Sequence, residues 1–168
     1  MTVRPFSFAA TLPARSATCV PRRILRYSLL VCLLVSTAFA AWGWFRPYAW
    51  RSDSAARCKI AEVLVTRDHS YFWLDVHLKV TPGMVHDLRK PVFLQNSAGK
   101  AFEPADTTLS GDDGRSTSEI WFKFWLDTPD FGGPLSLHLN DGTLVIRSGS
   151  GAPPLGNSAF RNFTTTEW

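Results

Sequence analysis

Between Tyr71 and Val80 the side chains alternate without a break: Phe72, Leu74, Val76, Leu78 and Val80 are apolar, and Tyr71, Trp73, Asp75, His77 and Lys79 stand between them. A period of two over ten residues is a strand with one face buried, not a helix. The pattern returns from Ser118 to Asp127, where Ile120, Phe122, Phe124 and Leu126 oppose Glu119, Trp121, Lys123, Trp125 and Asp127. Two such ribbons each present an apolar face that only a second layer of structure can cover.

The rest of residues 58–148 supplies further strand signals. Ile60, Val63, Leu64 and Val65 form a β-branched run that ends at the polar turn Asp68-His69-Ser70. Thr81-Pro82-Gly83 stops the next strand, and a polar loop leads to Val92-Phe93-Leu94-Gln95. Asn96-Ser97-Ala98-Gly99-Lys100 has turn chemistry, Phe102 starts a short return closed by Pro104, and Asp106 to Leu109 adds a short edge strand. Leu135, Leu137 and Leu139 alternate with Ser136 and His138, and the Asp141-Gly142 pair before Leu144, Val145 and Ile146 is a hairpin signal. No helical period lies between these runs. The expected fold is all-β: an immunoglobulin-like sandwich of about seven antiparallel strands, or a small barrel, preceded by one N-terminal hydrophobic helix. In this outline residues 58–148 resemble the membrane-anchored, immunoglobulin-like domains of unknown function found on bacterial cell surfaces. The resemblance rests on pattern, lacks the Cys…Trp…Cys spacing of true immunoglobulin domains, and implies no functional residues.

The helix is read from Tyr27 to Phe45, nineteen residues without a charge. At ~1.5 Å per residue it spans about 29 Å, the thickness of a bilayer's hydrocarbon core. Arg22, Arg23 and Arg26 precede it, with Arg4 and Arg15 further back, and such residues are retained on the cytoplasmic side. Trp42, Trp44, Tyr48 and Trp50 follow, at the level of the outer headgroups. The expected topology is a single-pass protein with its N-terminus cytoplasmic and its C-terminal domain extracytoplasmic. A competing reading shares the destination: Ala38-Phe39-Ala40 has the small-x-small form of a signal-peptidase site, so the domain is secreted after cleavage at Ala40. Cys32, inside the apolar run after Leu30 and Val31, does not suit a lipoprotein anchor. Residues 1–19 have little periodicity, and a translation start at Val20 would give a leader of ordinary length.

The expected organisation is a basic cytoplasmic or leader segment (1–23), a transmembrane anchor or signal peptide (24–45), a linker without clear period (46–57), the β-sandwich (58–148) and an extended, aromatic-bearing tail (149–168). Phe160, Phe163 and Trp168 are too apolar for a disordered tail, which is expected to lie across the sandwich as extended coil.

Charge argues against nucleic acid as a partner. The net charge of +4 divides into eight Arg against Asp53 in residues 1–57, giving +7, and ten Lys and Arg against thirteen Asp and Glu in residues 58–168, giving −3. The excess of Arg sits beside the apolar run, where it reads as a topology signal, and the domain lacks a basic footprint. Cys58 is the one thiol of the exported part, so no disulfide forms within that part, and its ordinary reading is a small, partly buried strand residue.

No phosphate loop, nucleophile elbow or paired-histidine metalloprotease helix occurs, so the protein is read as noncatalytic, without cofactor or metal. His69, His77, His86 and His138 are dispersed. Only Asp75 and His77 share a strand face, without a third ligand at a recognisable spacing. Asp106 with Asp112-Asp113-Gly114 fits an acidic turn better than a calcium loop, and Glu119, Asp127 and Asp130 define no hydrolytic pair. The outer sheet face is the candidate site: Tyr71, Trp73, Trp121 and Trp125, interleaved with Lys79 and Lys123. Three roles compete for these rings: cross-strand packing covered by the tail, a face for an envelope-protein partner, and a carbohydrate platform. The functional expectation is a membrane-tethered extracytoplasmic domain mediating protein-protein contact in the envelope, with a secreted carbohydrate-binding module as the alternative.

Overall fold

A computed structural model describes residues 22–111 and 117–168. The leader before Arg22, with Cys19 and Val20, and the Asp112-Asp113-Gly114 tip lie outside the described residues. The chain divides into two compact units, Met1–Ala40 and Ala41–Trp168.

Helix α1 runs over Arg22–Trp44 and is long and apolar enough to cross a membrane. Its leucines and valines stand exposed. Two of the hydroxyls within the run donate to the helix's own carbonyls, Ser28 Oγ to Leu25 O at 2.9 Å and Thr37 Oγ1 to Leu33 O at 2.8 Å. They therefore bring no unpaired polar group into an apolar surrounding.

The second unit is β-rich. In chain order the strands are β1 (Cys58–Asp68), β2 (Tyr71–Val80), β3 (Phe93–Asn96), β4 (Ala101–Phe102), β5 (Asp106–Ser110), β6 (Glu119–Asp127), β7 (Leu135–Leu139), β8 (Gly142–Arg147) and β9 (Phe160–Phe163). They form two antiparallel sheets, ordered β5-β6-β2-β1-β9 and β4-β3-β7-β8. Nine described strands replace the expected seven or so, the surplus coming from the two-residue β4 and from β9. Both alternating ribbons turn the expected residues inward: Leu74, Val76, Leu78, Ile120, Phe124 and Leu126 are fully buried. They share one core cluster with Leu94, Leu135, Leu137, Leu144 and Ile146 from the other sheet. A bulge at Ala61 shifts the register of β1 between Ile60 and Glu62, which puts Val63 and Val65 inward and Glu62 and Leu64 on the opposite face.

The segments flanking the strands are part of this packing. Residues 46–57, expected as a linker, form two 3₁₀ turns, Tyr48–Arg51 and Ser54–Ala56, and Tyr48 and Ala56 are buried in the core. Asp53 caps the second turn through Ala55 N (2.9 Å) and accepts the β8 amide of Thr143 (3.0 Å). Those two amides hold its carboxyl below the usual range.

The tail does not lie over the sandwich as coil. It enters the first sheet as β9, pairing Phe163 with Val63 and Phe160 with Thr66. Phe163 faces inward and stacks on Trp168 at 4.6 Å, and Trp168 Nε1 donates to Tyr48 Oη at 2.7 Å. Arg147, 1% exposed, donates through Nε to the main-chain oxygen of Trp168 and spreads its guanidinium over the rings of Phe131 and Trp168. Linker and tail together close the flank of the sandwich between β1 and β8.

Candidate functional site

The outer face of the five-stranded sheet is laid out in rows by the strand registers. Because β2 and β6 are neighbours, Trp73 lies directly opposite Trp125, Asp75 opposite Lys123, and His77 opposite Trp121. On the other side of β2, Asp68 pairs with Tyr71, Thr66 with Trp73, Leu64 with Asp75 and Glu62 with His77. Thr66 in turn faces Phe160 of β9. A row therefore crosses four strands, Phe160, Thr66, Trp73 and Trp125, and all four candidate residues Tyr71, Trp73, Trp121 and Trp125 fall on this one face.

Two local clusters hold the rings. At one end Tyr71 Oη donates to Asp68 Oδ2 at 2.8 Å, and Trp73 Nε1 donates to the same oxygen at 3.4 Å. Bonds from His69 and Tyr71 hold the Asp68 carboxyl below its ordinary range, and the bond to Asp68 raises the Tyr71 phenol. Tyr71 meets Trp73 edge to face (6.1 Å, 83°) and leans on Trp125 (5.6 Å, 54°). Lys123 extends over Trp73 at 5.4 Å while its ammonium sits 3.7 Å from Asp75. Cross-strand pairs of this type stabilise a sheet by about 0.2–1 kcal/mol each, so the rings are part of the scaffold as well as its surface. At the other end His77 lies flat on Trp121 (4.6 Å, 8°), its nitrogens 3.7 Å from Glu62 and 3.4 Å from Glu119. Its Nε2 is buried without a hydrogen-bond partner.

The tail leaves this face open. Trp125 is 44% exposed and Phe160, contributed by the tail itself, is 63% exposed, while Tyr71, Trp73 and Trp121 are half-buried. Phe160 was not among the residues expected here. Once the tail is a strand, the spacing of three between Phe160 and Phe163 sends the two rings to opposite faces.

The other residues considered from sequence make the following contacts. Among the described residues no group of three or more metal-ligating side chains converges. Asp75 is paired with Lys123, and its burial raises its pKa. Asp127 and Asp130 form a reciprocal cap on the 3₁₀ turn Thr128–Phe131, and Asp130 also accepts Lys100 Nζ at 3.0 Å. Glu119 belongs to the ladder with His77 and Lys79. His138 bridges Gln95 and Thr143 and stacks on Phe93. Cys58 is 1% exposed, and burial pushes its thiol up to about 11.

One concavity lay outside the sequence reading. A cleft of about 380 Å³ lies beside β5, lined by His86, Leu88, Val92, Pro104, Thr107 and Phe122 among others. On its His86 side Asn140, in a left-handed turn (φ 55°), accepts from His86 Nδ1 (3.1 Å) and from the Asp87 amide (2.9 Å) and donates to Ala56 O. These bonds tie the polar groups of the β2–β3 loop inward. Burial lowers the pKa of His86.

Comparison of the chain with protein-family models, curated proteins and solved structures finds no match. What fold and surface define is thus a class: a β-sandwich unit following one apolar helix, with an open, aromatic-bearing sheet face.

Proposed function

We propose that this protein is a noncatalytic, membrane-tethered extracytoplasmic domain of immunoglobulin-like topology that contacts another envelope protein through its aromatic sheet face. Strand order supports the topology. Taken as A, B, C, C′, D, E, F and G, strands β1 to β8 give D-E-B-A and C′-C-F-G, the two sheets of an immunoglobulin sandwich carrying one C′ strand. The arginines at and before the start of α1 and the exposed Trp42, Trp44 and Trp50 at and beyond its end support tethering with the domain outside.

The observation that carries the functional reading is that Trp125 and Phe160 stay open to solvent while the tail pairs into the sheet edge as β9. The exposed aromatics share their face with Lys123, Asp75, Glu62 and Glu119, a mixture of apolar and polar groups of the kind found in binding patches. A protein partner suits this face better than a sugar ring, because the 83° between Tyr71 and Trp73 offers no flat platform. A photo-reactive residue placed at Trp125 in the full chain tests the reading in native membranes. The expected result is one discrete adduct, absent when the residue is placed at Lys100 and weakened by Phe160→Ala. No adduct above the Lys100 control overturns it.

A second reading concerns the tether. The small-x-small run Ala38-Phe39-Ala40 also suits a signal-peptidase site, which supports cleavage after Ala40 and release of the same domain.

A further inference from the structure

Residues 58–168 sum to a charge of −3, yet two concavities that adjoin at Pro47 are lined by three cations and no carboxylate. The first, about 200 Å³, is lined by Trp42, Phe45, Arg46, Pro47 and Trp50. Trp42 and Trp50 meet edge to face at 5.0 Å, and both indoles and Phe45 are more than half exposed. The Arg46 side chain has no ion pair among the described residues, and its Nε is buried without a hydrogen-bond partner. Leaving a buried guanidinium N–H unpaired is costly, and an anion in this concavity would pair it.

The second concavity, about 410 Å³, is lined by Pro47, Ala49, Ala61, Thr164, Lys59 and Lys79 among others. Lys59 and Lys79 are direct partners across β1 and β2, a placement that destabilises a sheet when the charges are alike. Glu119 reaches Lys79 at 4.0 Å but also meets His77 at 3.4 Å. Lys59 is exposed and has no ion pair among the described residues. An isolated bridge from Pro47 to Thr165 ties this segment to the tail, so the folded unit presents these cations, not a loose stalk.

We propose that this surface seats the phosphates of anionic phospholipid headgroups, one on Arg46 and one between Lys59 and Lys79. The inference deepens the tethering proposed above and rests on it for the source of the lipid. Depth favours lipid over other anions. Arg46 is the first charge after the charge-free run Tyr27–Phe45, and the headgroup layer beyond a hydrocarbon core is only about 5–7 Å deep. Two residues of chain beyond Trp44, where α1 ends, span at most about 7 Å, which keeps Arg46 within that layer. The exposed Trp42, Trp44 and Trp50 suit the same level. A guanidinium fork matches two phosphate oxygens, and ammonium groups bind phosphate as point charges. Contact at both places would fix how the aromatic sheet face is presented above the bilayer.

The test takes the chain as cells make it, full-length or beginning at Ala41, in non-ionic detergent. Both forms keep the surface, so failure of tethering leaves the assay intact. Dihexanoyl phosphatidylglycerol, dihexanoyl phosphatidylcholine and inorganic phosphate are titrated in turn, and the rise in melting midpoint gives each apparent affinity. Phosphatidylglycerol is expected to bind, phosphatidylcholine to bind at least about tenfold more weakly, and inorganic phosphate to leave the midpoint unchanged. Arg46→Gln should weaken phosphatidylglycerol by about tenfold or more, with partial recovery in Arg46→Lys and no loss in Arg67→Gln at the far end of β1. Lys59→Gln should weaken it while raising the lipid-free midpoint, because a like-charge pair is relieved. No shift with phosphatidylglycerol, or an equal response to phosphatidylcholine or inorganic phosphate, overturns the anionic-lipid reading. Wild-type affinity in Arg46→Gln overturns the first seat, and in Lys59→Gln the second.

Discussion

The bond between Tyr48 and Trp168 joins two segments 120 residues apart, and removing it measures whether they belong to the folded domain. Tyr48 is 3% and Trp168 7% exposed, so neither partner can turn to water when the other is lost. Tyr48→Phe keeps the ring and strands the indole N–H, a cost of about 1–3 kcal/mol for an unsatisfied buried donor. Tyr48→Ala also removes the ring and leaves a cavity, for about 3–5 kcal/mol. Domains hold only about 5–15 kcal/mol in total, and 1 kcal/mol moves the midpoint of a unit this size by about 3–5 °C. Thermal unfolding followed by near-UV circular dichroism is expected to fall by roughly 3–15 °C for Tyr48→Phe and further for Tyr48→Ala. Trp168→Phe removes the donor, so adding Tyr48→Phe to it should cost less than Tyr48→Phe alone, a coupling of about 0.5–3 kcal/mol. An unchanged midpoint in Tyr48→Ala would refute the packing and return residues 46–57 to a free stalk.

Two further outcomes follow from the same geometry. Burial lowers the pKa of His86 below 6.5, so its neutral form is the folded one; the stability it contributes is present above about pH 6.5 and lost as pH falls through the lowered folded value. Wild type should therefore lose more thermal stability between pH 7.5 and 5 than His86→Gln, and equal pH slopes would contradict the assignment. Gly142→Ala drives a methyl into the backbone at Ala56 and should destabilise by about 1–3 kcal/mol; a neutral melt would show that the 3₁₀ turn Ser54–Ala56 does not press on β8.

Legibility in the sequence followed the range of the contacts. The faces of β2 and β6 could be read because period two is local: once Phe72 and Phe122 face inward, Trp73 and Trp125 must face outward. Their meeting follows from β2 and β6 being neighbours, a consequence of strand order. Residues 46–57 show no period because Tyr48 answers to Trp168 and Ala56 to Gly142, partners far along the chain. The tail offered three aromatics but no strand signal, since Arg161 and Asn162 between Phe160 and Phe163 leave too few residues for a period. The contact of Asn140 with His86 and Asp87 joins residues more than fifty positions apart, which the Asp141-Gly142 hairpin signal only hinted at.

The central claim is that the aromatic sandwich is held at a membrane with its domain outside, and one fractionation tests it. Cells making the Ser70→Cys chain are treated with a membrane-impermeant maleimide, their membranes are washed in alkaline carbonate, and the protein is analysed by intact mass. Label incorporated from outside into a chain that stays in the washed membrane and retains residues before Ala41 is the expected result. A carbonate-soluble species beginning at Ala41 would replace tethering with secretion, and a residue at position 70 labelled only after lysis would contradict export itself.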